Sequence, residues 1–125
     1  MAEPASEAER VLLCVSQDEA VRDDARFAFP SGVRVECTTD AREAWEMLER
    51  LTPNMVIVDI QSGSAGGYDL ARDMSQNPRL KDVPVLMLLQ RREDAWLSRQ
   101  GSADAFLVKP VAGDVLVREA LALID

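Results

Sequence analysis

A parallel α/β domain is the fold this sequence predicts, and two observations predict it. Short apolar runs alternate five times with stretches of helical spacing. Most of those runs are apolar at every position, as a strand must be when helices cover both faces of its sheet. The length agrees: 125 residues make one ordinary domain, able to bury most of its apolar surface without staples. The elements follow one another with short connections, no visible linker and no repeat of solenoid period. Residues 1–9 read as a polar tail and residues 10–125 as the domain.

Val11-Leu12-Leu13-Cys14-Val15 is the first strand. Asp18 to Phe29 has helical spacing through Val21, Ala25 and Phe29, with Asp18 as its N-cap and Pro30-Ser31-Gly32 as its stop. Val33 to Cys37 alternates like a half-buried strand. Asp40 to Leu51 carries Ala41, Ala44, Trp45 and Leu48 on one helical face, and Thr52-Pro53-Asn54 breaks it. Met55 to Val58 is a third strand, ending at Asp59. A glycine- and serine-rich loop, Gln61 to Gly67, leads to a helix over Tyr68–Ser75. Pro84–Leu89 is the fourth strand, Glu93–Gln100 a short helix, Ala105–Val108 the fifth strand and Asp114–Ile124 the last helix. On that last helix Leu116, Val117, Ala120, Leu123 and Ile124 form the expected buried stripe, flanked by Val115 and Leu121.

Charge and composition exclude several functions. Fourteen Lys and Arg stand against 22 Asp and Glu, a net charge of -8, and sequence-independent nucleic-acid binding needs a basic field. Histidine is absent, which removes imidazole catalysis and histidine-ligated metals. No apolar run approaches the roughly 20 residues of a membrane-spanning helix, and the N-terminal stretch has no signal-peptide core; a cytoplasmic location is expected. Cys14 and Cys37 lie in apolar strand-like runs and read as small buried hydrophobes, a disulfide or redox pair being the alternative. Arg91-Arg92 reads as a solvated pair, and Trp96 fits either core or surface.

In a sheet of this kind, ligands bind beyond the C-terminal ends of the strands, where the strand order reverses. The residues there are Ser16-Gln17-Asp18, Thr38-Thr39, Asp59, Leu89-Gln90 and Lys109-Pro110. An aspartate at one strand end and a lysine at another converge on one pocket. With Val56-Ile57-Val58-Asp59-Ile60, Gly67-Tyr68-Asp69-Leu70, Val83 to Leu88 and Ala103 to Pro110, the chain resembles a response regulator receiver domain from Arg10 to Ile124. The resemblance implies a flavodoxin-like three-layer sandwich with strand order 2-1-3-4-5. It implies that Asp59 is the phosphoacceptor position, Lys109 the pocket lysine, Pro110 the proline after a cis bond, and Leu89 and Phe106 the two switch positions. It also implies protein partners, such as a histidine kinase, a downstream effector or a second copy, and a docking face on the last helix that Val115 and Leu121 would widen.

The departures from the family pattern carry as much meaning as the matches. The family has two acidic residues directly after the first strand, which hold magnesium; Ser16 and Gln17 stand there. Asp18 is one place late and reads as a helix cap. The Thr or Ser that ends the fourth strand is Leu89, and Gly63-Ser64-Ala65-Gly66 stands where a Pro-Gly pair is usual. A family pocket carries about two net negative charges to attract a divalent ion, whose affinity follows ligand charge. Here Asp59 and Lys109 cancel, so no metal ligand set is expected. The leading reading is a divergent, non-enzymatic pseudo-receiver that works through protein contacts, with Phe106 held in one inward position. The second is a phosphorylatable receiver using Asp59, and the third a flavodoxin-like cofactor binder, for which no cofactor motif is present.

Overall fold

The parallel sheet is built from β1 (Arg10–Val15), β2 (Val33–Thr38), β3 (Met55–Asp59), β4 (Val85–Leu89) and β5 (Ala105–Val108), in the order β2-β1-β3-β4-β5. This is a computed structural model, and it describes residues 10–60, 66–100 and 102–124. The expected tail over residues 1–9, the part of the loop over residues 61–65, Gly101 and Asp125 lie outside the described residues. The helices are α1 (Glu19–Ala28), α2 (Ala41–Leu48), α3 (Gly67–Ser75), α4 (Ala95–Gln100) and α5 (Gly113–Ile124). A single 3-10 turn, Arg92–Asp94, leads into α4, where the sequence had pointed to one continuous helix from Glu93. No helix among the described residues is long and apolar enough to cross a membrane.

Strand alternation sorts the core into two layers. Leu13, Val15, Val56, Val58, Met87 and Leu89 face α2 and α3. Leu12, Cys14, Met55, Ile57, Leu86 and Leu88 face α1 and α5. Every position of β3 and β4 is buried, which explains their unbroken apolar sequences. Each fully buried Leu, Ile or Met there contributes roughly 1.5–3 kcal/mol. The outer strands differ because each has an open edge: β5 is only partly buried at all four positions, and β2 is exposed at Arg34 and buried only at Thr38.

Two aspartates start helices. Asp18 accepts a hydrogen bond from the Ala20 N–H at 3.0 Å, and Asp40 accepts one from the Arg42 N–H at 2.7 Å. Such caps are worth about 1 kcal/mol each. Helix α2 stops at Leu48, three residues before the expected Leu51. The N–H groups of Arg50 and Leu51 both turn back onto the Met47 carbonyl, and Pro53 could not continue the helix. Trp45 packs against the edge of the core, whereas Trp96 is 51% exposed.

Candidate functional site

The C-terminal ends of the three central strands and β5 bring the chemistry together. Asp59 closes β3 and is fully buried. Ser16, just past β1, is also fully buried, and its Oγ donates to Asp59 Oδ2 at 2.8 Å. Lys109, just past β5, donates from Nζ to the same Oδ2 at 2.7 Å. The lysine reaches inward because its own N–H is held by the Leu89 carbonyl at 2.8 Å, which aligns the ends of β4 and β5. The Lys109–Pro110 peptide bond is cis.

Ser16 is held from several sides. Its N–H bonds the Thr38 carbonyl at 3.0 Å, its carbonyl accepts from Arg22 Nη1 at 2.9 Å, and its Oγ accepts from the Asp18 N–H at 3.0 Å. The hydroxyl therefore has its proton for Asp59 and a lone pair for the backbone. An ionised carboxylate at this position has no proton to donate to Asp59.

Asp18, a helix cap by its sequence position, has a second task. Its Oδ1 does cap α1, but its Oδ2 stands 3.5 Å from Lys109 Nζ, at the mouth of the pocket. The signal was present, since an acidic residue at a strand-to-helix junction lies beside the ligand crevice. The register alone could not show that one carboxylate performs both tasks. Gln17 is exposed and, with Asp18, Gln90, Lys109 and Pro110, lines an open depression of about 490 Å³ above Asp59.

Helix α3 closes down on the same strand end. A Cβ on Gly67 would lie 2.4 Å from the Asp59 carbonyl oxygen and 2.8 Å from Val58 Cγ2, so only glycine lets the helix start this close. Gly66 before it has φ +78, a region few other residues enter. Leu89 is fully buried in the core layer shared by α2 and α3, and Phe106 packs against that layer, half-buried. Arg91 pairs with Asp94 at 3.2 Å on the surface, and its guanidinium pKa is raised by that hydrogen bond and charge. On α5, Leu116 and Ala120 are buried, while Val115, Val117 and Leu121 are partly exposed. Val115 and Leu121 lie on opposite edges of the buried stripe, each about 120° from its centre at 3.6 residues per turn.

Comparison with known proteins gives one consistent result. The family described as the response regulator receiver domain matches residues 12–121. A response regulator of Synechocystis sp. is 35% identical over 98% of this chain and 54% of its own length. The chain thus spans about half the length of curated relatives such as this one. Among solved structures, the receiver domain of a signal transduction histidine kinase from Syntrophus aciditrophicus is 26% identical, with a TM-score of 0.79 over 92% of this chain and 89% of that one. A chemotaxis response regulator of Vibrio cholerae is 21% identical and shares the fold, with a TM-score of 0.82 over 92% of this chain and 98% of that one.

Proposed function

This chain belongs to the response regulator receiver family, and from that premise we propose that it is a signal-transduction module in which metal-dependent phosphorylation of Asp59 is impaired. Receiver domains are signalling modules that work with protein partners. The observation carrying the proposal is the buried Ser16 hydroxyl, which bonds Asp59 Oδ2 at 2.8 Å where the family has a carboxylate, while the Lys109 contact at 2.7 Å fits either reading.

The family's magnesium site makes the fit test direct. Magnesium is held through one or two carboxylates plus phosphate oxygens and gives up water reluctantly. The buried donor set here is one carboxylate, already bonded to an ammonium, and one hydroxyl whose proton points at that carboxylate. Among the described residues, no cluster of three Asp, Glu or Cys side chains could hold a metal. This set does not fit a magnesium ion. Phosphoryl transfer without such an ion loses its main neutraliser of developing charge, and Leu89 offers no hydroxyl for the phosphoryl oxygens.

One observation favours the second reading, a receiver phosphorylated on Asp59. The Asp18 carboxylate does reach the pocket mouth, 3.5 Å from Lys109 Nζ. Incubation with acetyl phosphate and magnesium, followed by intact mass spectrometry, separates the two. The expected result is an unmodified mass under conditions that phosphorylate an ordinary receiver. A phosphoryl adduct that disappears in Asp59→Asn would establish the second reading instead.

The protein partner is proposed to dock on α5. Val115 and Leu121 leave apolar surface on both flanks of the helix, where a solvated helix more often carries charge. Val115→Glu and Leu121→Glu should each weaken partner binding or self-association at least tenfold while leaving the unfolding midpoint nearly unchanged. Unaltered binding and oligomeric state in both variants would remove α5 from the interface.

A further inference from the structure

Cys14 and Cys37 are register partners on the adjacent parallel strands β1 and β2. Neighbouring strands run about 4.7–4.9 Å apart, inside the Cα separation of about 4.4–6.8 Å that a disulfide spans. Both side chains belong to the core layer under α1. Cys14 is fully buried, whereas Cys37 is half-buried near the end of an edge strand, within reach of a small solute. Register and burial thus set the two side chains side by side on one face of the sheet.

We propose that Cys14 and Cys37 form a reversible thiol–disulfide site, oxidised by hydroperoxides, that clips the edge strand to β1 directly beneath the Asp59 pocket. The proposal stands apart from whether Asp59 accepts a phosphoryl group.

The surrounding charges assign the roles. Cys37 is lowered to about 6, first by the neighbouring Cys14 thiol and then by the guanidinium groups of Arg26 and Arg22 on α1, against the cost of its burial. Cys14 is raised well above the ordinary thiol range by the neighbouring Cys37, by burial and by the negative charge of Asp59, with Arg22 opposing. Cys37 Sγ donates only a long, weak hydrogen bond to the Arg22 carbonyl, at 3.9 Å. At neutral pH Cys37 is thus the nucleophilic thiolate and Cys14 the protonated resolving thiol.

The chemistry balances with a hydroperoxide as oxidant. The Cys37 thiolate attacks the terminal peroxide oxygen, the O–O bond breaks, and the leaving alkoxide or hydroxide takes a proton from water. The sulfur is oxidised by two electrons to a sulfenic acid. That step removes the Cys37 negative charge that held the Cys14 proton. Cys14 sulfur then attacks the Cys37 sulfur, the S–O bond breaks, and the Cys14 proton leaves with the hydroxide as water. An external dithiol returns both thiols by exchange. The clip would tie β2 to β1 two residues before Ser16, which holds Asp59.

The test treats the fully reduced chain with hydrogen peroxide and reads it by non-reducing intact mass and peptide mapping. The expected product is a monomer lighter by two hydrogen atoms, with a peptide joining Cys14 to Cys37, reversed by dithiothreitol. Iodoacetamide alkylation of Cys37 in the unoxidised chain should rise with pH through a midpoint near 6. Cys14→Ser should stop at a Cys37 sulfenic acid that dimedone captures. Disulfide-linked dimers in place of the internal bridge, over-oxidation with no bridge, or an alkylation midpoint at the ordinary value of about 8.5 would overturn the proposal. The first two measurements use the unmodified chain, so a variant that fails to fold does not blunt the test.

Discussion

Replacing Lys109 with methionine should destabilise the fold by about 3 kcal/mol, at the lower end of the cost of stranding one member of a buried ion pair. Asp59 is fully buried, and the lysine is the cation bonded to its Oδ2 at 2.7 Å. Methionine replaces the apolar stem but not the ammonium, so the carboxylate keeps its desolvation cost and loses the compensating charge. Ser16 Oγ still donates at 2.8 Å, which keeps the loss from the top of the range. Urea unfolding measures it. With a slope of about 1–3 kcal/mol per molar, the midpoint should fall by roughly 1–3 M. Asp59→Asn should cost less, because a neutral amide can still bond Ser16 and Lys109 keeps the Asp18 carboxylate at 3.5 Å. The double variant should therefore be more stable than Lys109→Met alone. If the double variant loses as much as the sum of the two single ones, the pair is not coupled and the pocket's near-neutrality has another origin.

The second large effect comes from restoring the acidic pair. In the triple variant Ser16→Asp, Gln17→Asp, Leu89→Thr, a carboxylate replaces the hydroxyl that now lies 2.8 Å from Asp59 Oδ2. Two buried carboxylates so close repel strongly, and burial raises the cost. In the presence of a chelator the triple variant should unfold several degrees below the parent chain. Magnesium should then recover that loss, because a ligand bound only by the folded state stabilises by about 2.7 kcal/mol at one hundred times its Kd. The parent chain, whose one buried carboxylate is paired with Lys109, should show no comparable magnesium-dependent shift. Acetyl phosphate should also begin to modify Asp59 in the triple variant. A magnesium shift of equal size in both chains would show that the missing carboxylates are not what limits metal binding. Absence of a shift in both would move the cause to the loop that follows Asp59, where Gly63 to Gly66 replace the family's usual pair.

Much of this protein is written in short-range pattern. The runs at Leu12–Val15, Met55–Val58 and Val85–Leu89 are apolar at successive positions because both faces of a central parallel strand are covered. Their order along the chain, with helical stretches between, leaves few topologies open, since parallel crossovers are short and right-handed. Asp59 and Lys109 could be singled out because strand ends in such a sheet point at one crevice. The substitutions at Ser16, Gln17 and Leu89 were equally visible, since they are statements about residue type at aligned positions.

Tertiary structure decided what those residues do to one another. Nothing in the spacing of Ser16, Asp59 and Lys109 reveals that one carboxylate oxygen takes both hydrogen bonds, because that depends on the registers of β1, β3 and β5 together. Asp18 looked like a cap and is one, yet its second oxygen also faces Lys109, which comes from 91 residues further along. The ends of α2 and the 3-10 turn before α4 were set by local carbonyl competition that propensity does not resolve. Cys14 and Cys37 were each legible as small strand residues, but their pairing is a property of register across two strands. The sequence by itself determined the layers and the site's cast of residues, because burial and periodicity are summed over many neighbours in the chain. Only the folded structure decided the charge balance at Asp59 and the meeting of the two thiols, because those depend on single contacts of a few ångströms between residues far apart in sequence.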